Sequence, residues 1–301
     1  MPCSRLRGHS GWTQAVAITQ DGRFALSGGA DNVVKVWELR TRSCTAQLTG
    51  HEQYIAALAV TPDGKLAVSG SNDDTLRIWD LQMGVCRSIL RGHYNGISAV
   101  AITPDGRFAV SGSADKALCV WDLSTGGQVA TLWGHTHAVT CVAVSSDGRR
   151  AVSGSKDGTL RIWCLDTYAC LATLASCAHS GPSGWVGCVA VTRDGRYAVA
   201  GLSDSTFQMW DLERYTEVET PPPPRARIVT AIAVCFDGRY ALLAGSDNTL
   251  SMFDLQTRTF MPALTGHNAG LLAVAVSGDG YCAVTGSADT TVCLWQRGVL
   301  Q

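Results

Sequence analysis

The sequence has no apolar run approaching the roughly 20 residues that cross a bilayer, and its start, MPCSRLRGHS, lacks the apolar centre of a secretory signal. A membrane span is not expected, and the chain reads as intracellular, in the cytoplasm. Neither sign of charge dominates: 24 Lys and Arg stand against 25 Asp and Glu, a net charge of −1. That balance excludes a sequence-wide attraction to nucleic acid or to an anionic membrane. Twelve cysteines are present, yet none form CxxC, and they are scattered through apolar runs such as VTCVAV, ALCVWD and TVCLW. Buried free thiols fit this better than a disulfide or zinc framework, and no metal or cofactor is expected. A phosphate-binding GxxxxGK[ST] loop is also missing.

What the chain has is repetition. An aromatic residue followed by a short polar linker stands at Trp37, Trp79, Trp121, Trp163, Trp210, Phe253 and Trp295, in steps of 42, 42, 42, 47, 43 and 42. Asp-Gly recurs at Asp21, Asp63, Asp105, Asp147, Asp194, Asp237 and Asp279, where it can supply the positive φ angles of a tight hairpin. Gly-His recurs at His9, His51, His93, His135 and His267, with Ala178-His179 as a variant. One unit, GHTHAVTCVAVSSDGRRAVSGSKDGTLRIWCLDTYACLATL, holds four short β-rich runs and no helical period. Seven such units predict an all-β ring of radially packed four-stranded sheets.

These phased markers resemble the WD40 repeat family over essentially the whole chain, and the resemblance implies a seven-bladed β-propeller. The phrasing DGRxAVSGSxDxTLRIWDL is also similar to the WD40 arrays of NACHT-and-WD-repeat proteins. The repeats run approximately over 8–49, 50–91, 92–133, 134–177, 178–223, 224–264 and 265–296, in a single propeller of residues 1–301. The last unit lacks an outer strand, and residues 3–9, CSRLRGH, match the outer-strand segment CRSILRGH of 86–93. Residues 1–7 are therefore expected to complete the last blade and to close the ring.

Within the units, His, Ser or Thr, Asp and Trp recur at fixed spacing: His9, Ser27, Asp31, Trp37; His51, Ser69, Asp73, Trp79; His93, Ser111, Asp115, Trp121; His135, Ser153, Asp157, Trp163; and His267, Thr285, Asp289, Trp295. Nucleophile, base and orienting acid are all present, as in a hydrolase. Five copies argue for a need that every blade has, because catalysis requires one cleft. The resemblance implies a buried hydrogen-bond network in each blade. The fifth unit keeps His179, Asp204 and Trp210 but has Ala200 at the hydroxyl position. The sixth has Ala244 near that position, Phe253 for Trp, and PPPPRAR in place of Gly-His. These two blades are expected to be the least tightly locked, whether through drift or for function.

In WD40 proteins partners often contact the face that carries the Gly-His segments. By that resemblance, the exposed positions lie three and five residues after His and one before Asp. The first set is Trp12, Tyr54, Gly96, Ala138, Trp185, Ile228 and Gly270. The second is Gln14, Ala56, Ser98, Thr140, Gly187, Thr230 and Leu272; the third is Ala30, Asn72, Ala114, Lys156, Ser203, Ser246 and Ala288. Trp12, Tyr54, Trp185, Ile228 and Leu272 are expected to form an apolar arc, with Lys156, Arg225 and Arg227 beside it to favour an acidic partner. The alternative is that the aromatics merely cover their own blades.

The function expected is a non-catalytic scaffold binding a protein or peptide partner, without nucleic acid, membrane or cofactor, and as a monomer. Alternatives are a substrate receptor of a ubiquitin ligase, the sensing part of a larger signalling assembly, and a propeller enzyme with a channel site. The enzyme would need an unrepeated cluster of reactive groups, and His137 alone stands outside the repeated histidines.

Overall fold

The computed structural model describes residues 3–175, 184–221, 228–235 and 238–296. Among these, all regular structure is β, and the strands form seven antiparallel sheets. Blade one is Thr13–Ile18, Phe24–Gly29, Val34–Glu38 and Ser43–Leu48; blade four is Val139–Val144, Arg150–Ser155, Thr159–Cys164 and Cys170–Ala175. Each first strand packs against the first strand of the next sheet, and Thr13–Ile18 packs against Leu271–Val276, so the seven make a closed ring around a central channel. The seventh sheet consists of Leu271–Val276, Cys282–Ser287, Val292–Gln296 and the N-terminal strand Ser4–Leu6, with Ser4 opposite Leu294 and Leu6 opposite Val292. Leu6 is buried in a cluster with Trp37, Val292 and Leu294, and Cys3 Sγ lies 3.2 Å from Cys293 Sγ.

The burial pattern follows from this layering. Second and third strands are sandwiched between neighbouring blades and are buried along nearly their whole length, while outer strands such as Ser43–Leu48 face solvent. Blades approach so closely that a Cβ on Gly112 would lie 2.5 Å from Val139 Cγ1 of the next blade. Ala244 occupies the corresponding place in blade six, opposite Ala231, where the next blade presents Leu271, which is unbranched at Cβ.

The Asp-Gly hairpins differ from the sequence expectation in one respect. Only the glycine adopts positive φ (Gly22 66°, Gly64 70°, Gly106 71°), and none of the described aspartates of these hairpins does. The carboxylate braces the turn instead. Asp21 Oδ1 accepts from Thr19 Oγ1 (2.6 Å) and from the Arg23 N–H (3.0 Å), while Thr19 Oγ1 accepts the Phe24 N–H (3.0 Å). The turn is thus held by side chains that satisfy its own backbone.

The cysteines are less uniformly buried than expected. Every described one is a free thiol, but Cys44 and Cys170 are exposed on outer strands, opposite Trp37 and Trp163. They sit at bulges, where the extra residue turns a side chain outward.

Candidate functional site

Two kinds of side chain meet at the Gly-His end of the ring: the buried His, Ser or Thr, Asp and Trp sets, and an exposed rim above them. In blade one, Trp37 Nε1–H donates to Ser27 Oγ (2.7 Å), Ser27 is 2.6 Å from His9 Nε2, and His9 Nδ1 is 2.7 Å from Asp31 Oδ2. The same chain links Trp79, Ser69, His51 and Asp73, then Trp121, Ser111, His93 and Asp115. It recurs through Trp163, Ser153, His135 and Asp157, and through Trp295, Thr285, His267 and Asp289.

The outer bonds are fixed by the two ends. Indole N–H can only donate and an ionised carboxylate can only accept, so Nδ1 carries a proton, and a neutral imidazole then accepts the hydroxyl proton at Nε2. Burial lowers the pKa of His9, His51, His135 and His267 below the ordinary 6.5, against the raising pull of the aspartates. Burial opposes ionisation of Asp157 and Asp289 as well. Hydrogen bonds from Thr159, the Thr136 N–H and His135 outweigh it for Asp157, as do those from Thr291 and the Asn268 N–H for Asp289, and both are held at about 2. Each carboxylate ties two segments together: Asp157 Oδ2 accepts from His135 and the Thr136 N–H, and Oδ1 accepts from the Thr159 N–H and hydroxyl, which belong to the next turn.

This bond polarity is that of a hydrolase triad, but its surroundings are not. Ser27, Ser69, Ser111, Ser153 and Thr285 are fully buried, and each hydroxyl oxygen already accepts an indole N–H. No substrate carbonyl can reach them. Burial also pushes the Cys119 and Cys141 thiols up to about 12, far from an ionised nucleophile. Among the described residues, no group of three His, Cys, Asp or Glu side chains is placed to hold a metal, and no helix is long and apolar enough to cross a membrane.

Blade six departs at the hydroxyl position itself. The residue at the hydroxyl position, opposite Ile232, is Leu243; Ala244 is its neighbour. An apolar cluster stands where blades one to four and seven have the polar chain. Phe253 is fully buried and packs 4.9 Å from Phe207 and 4.8 Å from Phe260, centroid to centroid, so apolar contact replaces the hydrogen bonds. Blade five has Ala200 opposite Val189, and His179 lies outside the described residues, as do Arg225 and Arg227.

The rim is built with one geometry in all seven blades. The residue before the Asp position donates its N–H to the carbonyl of the first rim position: Ala30 to Trp12, Asn72 to Tyr54, Ala114 to Gly96, Lys156 to Ala138, Ser203 to Trp185, Ser246 to Ile228 and Ala288 to Gly270, at 2.9–3.0 Å. At the first position Trp12 is 50% exposed, Tyr54 37%, Trp185 45% and Ile228 44%. Lys156 Nζ stands 5.7 Å from the Trp185 ring centroid, linking blades four and five.

The second rim position is half-buried rather than exposed. It is the bulged residue between the first and second strands of each blade, as at Ser98 between Ile97 and Ala99. A bulge re-aims its side chain, and here it turns toward the next blade: Ser98 Oγ donates to the carbonyls of Gly112 and Val139, and Thr230 Oγ1 to those of Ala244 and Leu271. Leu272 is therefore a half-buried residue of the inner ring, and blade seven adds no large side chain to the exposed rim.

Tyr94 and Trp133 were not anticipated. Tyr94 is 84% exposed directly after His93, and Trp133 is exposed just beyond the outer strand of blade three. They border a cavity of about 160 Å³ with Gln128, Thr131 and Cys119. The signal was a tyrosine one residue after Gly-His, a position nearer the histidine than the three surveyed. His137 is exposed and lies 3.3 Å from Thr136 Oγ1.

Comparison with known proteins gives two family matches. The family described as "IFT122 first beta-propeller" matches residues 72–301, and "WD domain, G-beta repeat" matches residues 1–38 and 42–80. A curated relative, "Small ribosomal subunit protein RACK1z" of Oryza sativa subsp. japonica, is 46% identical over 41 residues, which are 14% of this chain and 12% of that protein.

Proposed function

The chain belongs to the WD40 repeat β-propeller family, whose members generally mediate protein interactions, and from that premise we propose that it is a non-catalytic platform binding a protein or peptide on its Gly-His face. One observation carries the reading: Trp12, Tyr54, Trp185 and Ile228 occupy the same hydrogen-bonded rim position in four blades and leave their side chains in solvent. Blades five, six, one and two present them, and only Gly270 of blade seven interrupts the arc. Large rigid side chains bury much surface while ordering few torsions, which is why such residues anchor interfaces. Lys156 beside Trp185 adds a cation to one end of the arc and favours an acidic group on the partner. The free thiols support a reducing, intracellular setting.

The test is quantitative affinity capture with wild type beside a Trp12→Ala/Trp185→Ala double variant. Both positions are half-exposed, so the fold is expected to survive, and a thermal melt checks this. Partners captured by wild type are expected to fall away with the variant. Equal capture by a folded variant overturns the assignment of the face.

A further inference from the structure

The opposite face, which carries the Asp-Gly hairpins, has grooves between successive blades, and two of them are built from the same positions. The groove between blades three and four has a volume of about 320 Å³ and is lined by Phe108, Val120, Leu165 and Tyr168. Its counterpart between blades one and two measures about 970 Å³ and is lined by Phe24, Val36, Leu81 and Gly84. Phe24 and Phe108 open the second strands, Val36 and Val120 precede the third-strand tryptophans, and Leu81 and Leu165 follow them.

What differs is the left-handed residue of the turn into the outer strand. In blade four it is Tyr168, at φ 60°, whose half-buried ring packs onto the cluster containing Val120 and Trp163. In blade two it is Gly84, at φ 68°, and a Cβ built there meets nothing within 4 Å. One groove holds a tyrosyl ring supplied by the chain itself, and the other has the same apolar wall without one.

Both openings carry three carboxylates and two cations, Asp105, Asp147 and Asp166 with Arg107 and Arg149 at the smaller one, but the pairing differs. In blade three, Arg107 lies 3.9 Å from Asp122. Glu38 stands in the place of Asp122, and its carboxylate accepts instead from the Thr41 hydroxyl (2.6 Å). Arg23, in the place of Arg107, lies over the Phe24 ring at 5.3 Å, as Arg107 lies over Phe108 at 4.7 Å, and Lys65 is 3.5 Å from Asp63. Asp21, Glu38 and Asp63 thus outnumber the cations Arg23 and Lys65 around the opening.

We propose that the groove between blades one and two is a docking site for a protein segment that presents an aromatic side chain flanked by Lys or Arg. The ring takes the place that Tyr168 fills two blades away, and the basic flank meets the surplus carboxylates. This site lies on the face opposite Trp12 and Trp185 and is independent of them.

The probe is a capped peptide, Gly-Ser-Lys-Tyr-Lys-Ser-Gly, titrated calorimetrically into the full chain. Wild type and the Trp12→Ala/Trp185→Ala variant are expected to bind it equally. Gly84→Tyr supplies the missing ring, a residue that Tyr168 and Tyr215 show the turn to accept at φ 60° and 56°. It is expected to weaken binding roughly tenfold or more, the scale of one buried aromatic side chain. Met83→Lys, at a position 75% exposed and therefore without burden on the fold, is expected to weaken it through repulsion of the basic flank. No binding to wild type, equal binding to Gly84→Tyr, or equal binding of a peptide with Glu for both Lys overturns the proposal.

Discussion

The acceptor-only carboxylate of Asp157 places a proton on Nδ1 of His135, and burial, which disfavours a second proton, leaves Nε2 to accept from the Ser153 hydroxyl while Trp163 donates to the same oxygen. Removing the middle of the chain should therefore cost more than one hydrogen bond. Ser153→Ala leaves the Trp163 N–H and His135 Nε2 buried and unpaired, and the expected loss is about 1–3 kcal/mol, read by denaturant unfolding. A loss near zero would mean that the hydroxyl is dispensable to its blade. The pH dependence has a definite sign. Unfolded imidazoles protonate through pH 6.5 while buried His9, His51, His135 and His267 resist, so the unfolded state binds more protons and stability falls as pH drops below about 6.5. A second loss follows between pH 3.8 and about 2, where Asp157 and Asp289 give up stability that is complete above 3.8. Thermal melts from pH 8 downward check both; a midpoint rising with acid would contradict the neutral-histidine assignment.

At the scale of elements, blades are locked in two ways. Five carry the polar chain, and blade six buries Phe253 among Phe207 and Phe260 instead. The sequence made the polar chain legible because four residue types recur at constant spacing. The aromatic cluster was not, because Phe207 belongs to the neighbouring blade and only the packing of two sheets joins it to Phe253. The bulge was hidden for a similar reason. A residue five places after His is expected to be exposed by resemblance to the family, until the extra residue turns Ser98 and Thr230 onto the next blade. The N-terminal strand is the other lock between elements: Ser4–Leu6 pairs with Val292–Gln296, and Leu6 lies buried between blades seven and one. Deleting residues 1–8 exposes the third strand of blade seven along its edge and is expected to lower the melting temperature by several degrees. An unchanged melting temperature would show that the ring does not depend on that pairing.

For the whole molecule, seven similar sheets leave two unlike faces. One carries the exposed arc of Trp12, Tyr54, Trp185 and Ile228; the other carries a groove vacated by Gly84. The arc could be read from the sequence because the rim position recurs at a fixed place in each repeat. Its break at blade seven could not, since Leu272 looks like an arc member until the bulge places it in the inner ring. The groove was illegible because it is formed by positions far apart in the chain, and its size depends on one absent side chain. The central claim, that the Gly-His face is the working surface, is tested most directly by photo-crosslinking in cells. A benzophenone amino acid is placed at Tyr54 on that face, and in a second protein at Val129, which is exposed on the outer strand of blade three. The account expects discrete covalent adducts from position 54 and none from position 129. Adducts from 129 with none from 54 would contradict it.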